Sequence, residues 1–271
     1  MGPLARYHRR LMSLHYTKEN KIARIVLDNP PVNVFTPALH KEFLEILRDF
    51  IADDGVHVGV WTGAGEKAFC AGDDIKSERP ERSVTEMVER ELAARHEGES
   101  LEYPGWEVEI QGLTRFKPIV GAINGYCLGQ GFIYMMLLTD IRIASSTAQF
   151  GLPEIKYGMG GAGGVIRLSR TIPHTSAMWM LLTGEMFGAE EALRHHVINE
   201  ISKPDDLDTR AMDVAEVIAS HPPLAVRTEM EAYQRAGEMS RADALAFASR
   251  LYRLQRVAMD QTPPLADKAG A

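Results

Sequence analysis

The sequence predicts an α/β fold with a helical C-terminal region. Three observations carry this reading: strand-like and helix-like apolar segments alternate through the first half of the chain, helical periodicity runs almost unbroken beyond residue 176, and no repeat or low-complexity tract interrupts either part. Residues 21–28 (KIARIVLD) mix Ile22, Ile25, Val26 and Leu27 with polar residues as a part-buried strand does, and Pro30 and Pro31 stop it. Over residues 36–52, Leu39, Phe43, Leu44, Leu47 and Ile51 recur at helical spacing, with Thr36 as N-cap and Pro37 at the first helical position. A strand over 56–61 (VHVGVW) ends at Gly63 and Gly65. Residues 117–124 (KPIVGAIN) and 139–144 (TDIRIA) are strands on either side of an apolar helix that starts near Gln130. That order implies parallel βαβ units with right-handed crossovers. Residues 176–183, 189–195, 208–220, 223–236 and 241–259 read as helices. Residues 76–110 hold ten Glu against five Lys and Arg with weak periodicity, which reads as exposed helix and loop. Residues 1–18 carry Arg6, Arg9 and Arg10, no acid and little apolar content, and are expected to form a short unstructured extension. The chain divides into a flexible extension (1–13), a core (14–205) and a helical C-terminal region (206–271).

Composition excludes several function classes. The 271 residues are 45% hydrophobic and 25% charged, which is ordinary globular usage and not that of a disordered chain. A net charge of −7 argues against nucleic-acid binding, which needs a basic face. The longest apolar run, FIYMMLL at 132–138, is far short of the roughly 18–20 residues that span a bilayer. Cys70 and Cys127 alone give no disulfide framework and no zinc-ligand spacing, which suits a reducing, cytoplasmic setting. No GxSxG, GxxxxGK[ST] or HExxH motif is present. The run GMGGAGG at 158–164 lacks the strand, helix and acidic residue of a dinucleotide fold and reads as a turn with close backbone packing. His195 and His196 close an amphipathic helix and are expected to cap it rather than to bind metal.

Two glycine-containing segments hold more chemistry. KAFCAGDDIK (67–76) sets Gly72 before an expected helix start at Asp73 and Asp74, and NGYCLGQGF (124–132) sets Gln130 between two glycines at the start of the apolar helix. Composition alone favours two ordinary helix N-termini with Gly in tight turns. The alternative is a pair of backbone donors converging on one carbonyl oxygen, an oxyanion hole reinforced by the helix dipole.

These two segments, together with AQFGLPEIKYGMGGAGGVIRL (148–168), DNPPVN (28–33) and GAEEALRHHVINEI (188–201), resemble in order and spacing the sequence of the crotonase, or enoyl-CoA hydratase/isomerase, superfamily. The likeness spans residues 14–260. It implies a crotonase-like ββα-superhelix core with C-terminal helices that mediate oligomerisation, as a homotrimer or a dimer of trimers. It implies an acyl-CoA thioester as substrate, with coenzyme A part of that substrate and no separate cofactor or metal. Carried over by position, the amides of Asp73 and Gln130 polarise the thioester carbonyl, and Glu154 in FGLPEI is the acid/base. Val32, Ala71, Asp73, Ile75 and Lys76 line the CoA site, Lys76 as a cation for a phosphate.

Three departures qualify that pattern. Gln130 stands where the family often has glycine. Ile133 replaces the second glutamate with which hydratases hold and activate water, so two-carboxylate hydration is disfavoured. The glycine run is one residue shorter than GxxPGxGG and lacks its proline. The resemblance therefore implies an enolate enzyme with a single catalytic glutamate. Alternatives are a hydroxycinnamoyl-CoA-type hydratase-lyase, a catalytically degraded acyl-CoA-binding relative, and, with least support, a CoA-independent β-diketone hydrolase. Tyr103 and Trp106 either line an aromatic-acyl site or cover the core.

Overall fold

A computed structural model describes residues 13–77, 81, 83–92, 106–161 and 165–260. The described residues open with a hairpin, β1 (Ser13–Glu19) and β2 (Ile22–Asp28), joined through Asn20 and Lys21 at φ 50° and 68°. Residues 13–18 are thus an antiparallel edge strand, paired from Ser13–Asp28 to Glu19–Ile22, and not part of an unstructured extension. Two successive positive φ values are the geometry of the two-residue turn that matches strand twist. Helix α1 (Pro37–Ala52) follows, its N-cap Thr36 accepting from the Leu39 amide at 3.2 Å.

The body is a spiral in which each turn contributes one strand to each of two sheets. β3 (Val58–Gly63), β5 (Ile119–Ile123) and β7 (Ile141–Ser145) enter the large sheet, while β4 (Ala68–Cys70), β6 (Tyr126–Leu128) and β8 (Gln149–Gly151) enter the small one. Between them lie α2 (Val84–Leu92), α3 (Trp106–Gly112) and α4 (Gln130–Leu138). Then come a 3-10 turn (Pro153–Tyr157), α5 (Leu168–Thr171), α6 (His174–Thr183), β9 (Phe187–Gly188), α7 (Ala189–Arg194) and β10 (Glu200–Ser202). The last described elements are α8 (Leu207–Ser220), α9 (Pro223–Ala236) and α10 (Arg241–Asp260). The large sheet runs β1-β2-β3-β5-β7-β10 and is parallel apart from β1; the small one runs β4-β6-β8-β9 and is parallel apart from β9.

Period-two alternation decides which face of the large sheet packs where. Val58 and Val60 face α8, whose Ala211, Ala215 and Ala219 form a small-residue stripe that lets the helix lie close. Trp61 points the other way, against Phe43 and Phe69 at ring separations of 5.0 and 4.5 Å, into the main core between α1, α4 and the sheets. Each such fully buried aromatic contributes roughly 1.5–3 kcal/mol through area removed from water. Helix α4 is buried almost all round, and its C-terminal carbonyls are taken by arginines from three places: Arg167 on Leu137, Arg115 on Leu138 and Arg142 on Thr139. Asp140 pairs with Arg115 at 2.7 Å.

Helix α2 is exposed, as expected, and Tyr103 lies outside the described residues. Trp106, partly buried, packs on the main core. His195 caps α7, with Nδ1 2.7 Å from Ser176 Oγ and Nε2 3.6 Å from Glu191. Helix α10 leaves Leu245, Tyr252, Leu254 and Val257 exposed. Among the described residues no helix is long and apolar enough to cross a membrane.

Candidate active site

Because β4, β6 and β8 are adjacent and parallel, their carboxyl ends deliver three loops to one edge of the small sheet. That edge is the ordinary place for a site in parallel α/β architecture. The loop after β4 is pinned to residue 35: Phe35 N donates to the Gly72 carbonyl at 2.9 Å and Asp74 N donates to the Phe35 carbonyl at 2.7 Å. These bonds hold Asp73 in a short parallel bridge with Phe35. The helix expected at Asp73 and Asp74 therefore does not form; the backbone groups that would begin it are used by Phe35, and a turn through Ile75 and Lys76 follows.

The loop after β6 does end in a helix. Gly129, at φ 52° and ψ −126°, is the N-cap of α4, and Gln130 is its first residue, so amides here have no partner within the helix. A helix dipole acts at this loop and not at the first. The two loops touch: a Cβ added to Gly72, itself at φ 112°, would lie 3.3 Å from the Leu128 carbonyl and 3.6 Å from the Gln130 nitrogen.

The loop after β8 carries Glu154 in the 3-10 turn. Its position is fixed by Gly129 N, which donates to the Gly151 carbonyl at 3.0 Å. A Cβ on Gly129 would overlap Glu154 Oε1 and stand 3.1 Å from the carboxyl carbon, so the carboxylate lies directly over Gly129, beside the Gln130 amide. Glu154 Oε2 and Gln130 Nε2 are both shut off from solvent with no hydrogen-bond partner among the described residues. Burial raises the Glu154 pKa above its ordinary value near 4.5, against a smaller opposing effect of its own amide. A half-buried carboxylate with one oxygen left open is what a polar ligand atom would satisfy.

Ile133 is buried, and a Cβ on Gly161 would meet its Cδ1 at 3.4 Å, so it packs toward the start of the glycine run. Close packing is limited to that residue in the described part of the run, since Gly158 and Gly160 stand open. The expected CoA residues fall together: Ala71 N donates to the Val32 carbonyl at 3.0 Å, and Ile75, 73% exposed, and Lys76 follow on the same loop. Sequence reasoning missed His40 and Tyr134, both fully buried behind the loops after β4 and β6. Tyr134 offered one faint signal, a hydroxyl four residues after Gln130 in an otherwise apolar helix.

A two-sheet ββα spiral with a half-buried carboxylate and glycine loops at its strand ends is the architecture of crotonase-superfamily enzymes. Residues 17–258 match the family described as enoyl-CoA hydratase/isomerase. The (E)-benzylidenesuccinyl-CoA hydratase of Thauera aromatica is 35% identical, over 89% of this chain and 90% of the relative. The carnitinyl-CoA dehydratase of Proteus mirabilis is likewise 35% identical, over 84% and 82% of the two chains. An enoyl-CoA hydratase subunit I from Geobacillus kaustophilus superposes with a TM-score of 0.76 at 30% identity, over 92% of this chain and 91% of that one. The chain belongs to the enoyl-CoA hydratase/isomerase family and is an enzyme of that family, whose members act on CoA thioesters.

Proposed function

We propose that this enzyme adds water to, or removes it from, the carbon–carbon double bond next to an acyl-CoA thioester, with Glu154 as its only acid/base. The observation that carries the reading is the Glu154 carboxylate held over Gly129, next to Gln130, on the loop that the Gly72–Asp73 loop also touches. In the hydration direction Glu154 takes a proton from water as the oxygen bonds to the β carbon. The π electrons move onto the thioester oxygen, where the amides of Asp73 and Gln130 stabilise the enolate. Glu154 then returns the proton to the α carbon. A raised pKa suits a group that must both accept and donate near neutrality. Two relatives named as a hydratase and a dehydratase support this direction of reading. Coenzyme A enters as part of the substrate, along Val32, Ala71, Asp73 and Ile75 with Lys76 toward a phosphate, and the scheme balances without metal or redox cofactor. Two free, buried thiols suit a cytoplasmic setting, and the open apolar row on α10 suits trimer assembly.

Ile133 favours a second reading, in which Glu154 carries a proton from the α to the γ carbon and moves a double bond without using water. Mass spectrometry in heavy-oxygen water with 2-enoyl-, 3-enoyl- and cinnamoyl-CoA esters separates the two. Incorporated heavy oxygen is expected, and a cleaved aldehyde would mark the hydratase-lyase variant. Unchanged mass with a moved double bond would establish the isomerase, and binding without reaction would overturn the catalytic reading.

A further inference from the structure

Behind the site the Asp73 side chain is joined through His40 to Tyr134 on α4, the helix that begins with Gln130. Asp73 Oδ1 lies 3.2 Å from His40 Nε2, and His40 Nδ1 lies 2.8 Å from the Tyr134 hydroxyl. Gln130 lies one helical turn before Tyr134 on α4, so the helix backbone carries the brace to its amide. His40 is itself clamped: Phe35 stacks on it at 5.0 Å and meets Tyr134 edge-on at 5.3 Å, while the Phe35 backbone brackets Gly72 to Asp74. His40 sits on α1 and Tyr134 on α4, so this chain of groups ties the loop after β4 to the helix after β6.

We infer that His40 and Tyr134 are positioning residues that fix the Asp73 amide against α4, and so set its separation and aim relative to the Gln130 amide at the start of that helix. The inference rests on the oxyanion-hole reading above. Its physical basis is that fixed donors stabilise developing charge only if they need no rearrangement when it appears. The first loop lacks a helix to hold its amide, so a side-chain brace takes that place. A hydroxyl and an imidazole sealed at 0% exposure are costly unless mutually bonded, which keeps the brace in one arrangement.

Infrared difference spectroscopy with acetyl-CoA labelled at its carbonyl carbon tests this independently of acyl specificity. Wild-type protein should lower the thioester C=O stretching frequency. Tyr134→Phe, which removes one oxygen and keeps the ring, should bind acetyl-CoA within about threefold of wild type. It should recover much of the free-ester frequency and lose about tenfold or more in kcat with little change in KM. His40→Leu should behave alike, and His40→Gln, which can still donate to Asp73, should restore part of the shift. No shift in wild-type protein would overturn the oxyanion-hole reading and this inference with it. A wild-type shift kept in full by folded Tyr134→Phe and His40→Leu would overturn the inference alone.

Discussion

Gly129→Ala isolates the contact on which the proposed chemistry depends. The substitution acts twice. The backbone at φ 52° and ψ −126° is one that L side chains rarely adopt, which costs on the order of 1–3 kcal/mol of stability. The new methyl would also occupy the place of Glu154 Oε1, with the carboxyl carbon 3.1 Å away, so the carboxylate must retreat by about 1 Å to reach ordinary contact. A displacement of that size costs about 100-fold in rate, or roughly 2.7 kcal/mol in the barrier. Gly65→Ala is the control, because Gly65 has φ 74° but open space around it, so it pays the backbone cost alone. Urea melts and kcat on the ester identified by the heavy-oxygen panel give both quantities. Both variants should be destabilised and only Gly129→Ala should lose turnover. A folded Gly129→Ala retaining more than about a third of wild-type kcat would refute the placement of Glu154 as acid/base.

Glu154→Gln should bind CoA esters normally and lose about 1000-fold in kcat. The acidic limb of kcat/KM, lying above 4.5 because burial raises this pKa, should vanish in the variant. The fold favours the protonated carboxyl, so ionisation costs stability above the ordinary pKa; Glu154→Gln should therefore raise Tm at pH 8 and leave it unchanged at pH 4. Thr36→Ala removes the acceptor for the Leu39 amide at the start of α1 and should cost about 1 kcal/mol in urea denaturation. Arg142→Met strips a buried guanidinium from the Val197 carbonyl at 2.7 Å and Thr139 Oγ1 at 3.1 Å, and a loss of about 3 kcal/mol is expected by the same assay. A loss under about 1 kcal/mol would mean water replaces it there.

Long elements were legible because their signals are local. Thr36 and Pro37 mark the start of α1, the continuous apolar run marks α4 with its start at Gln130, and helical patterning marks every helix from α6 onward to within a residue or two of the ends observed. The strands of the small sheet, two or three residues each, are too short to show alternation, and β1 hid behind an Asn–Lys turn that lacks the glycine usual in such hairpins. At the site, Glu154 and the two glycine loops stood out by motif. The absence of a helix after Gly72 did not, because it depends on backbone bonds to Phe35, nearly forty residues earlier in the chain. The His40–Tyr134 contact joins positions 94 residues apart, and His40 merely interrupts the apolar face of α1 when read along the sequence.

The arginines at the far end of α4 reach the site without touching it. Nine residues span about 13 Å, so Arg115, Arg142 and Arg167 stand roughly that far from the Gln130 amide, with Asp140 as their neighbouring counter-charge. At an effective dielectric of about 20, each net unit of charge lowers the energy of an anion at the helix N-terminus by about 1 kcal/mol. Two net charges would therefore favour an enolate there by about 2 kcal/mol, more than tenfold in rate. Because Arg115 and Arg142 are buried, mobile ions screen this contribution poorly, and part of the site's attraction for negative charge persists at high ionic strength.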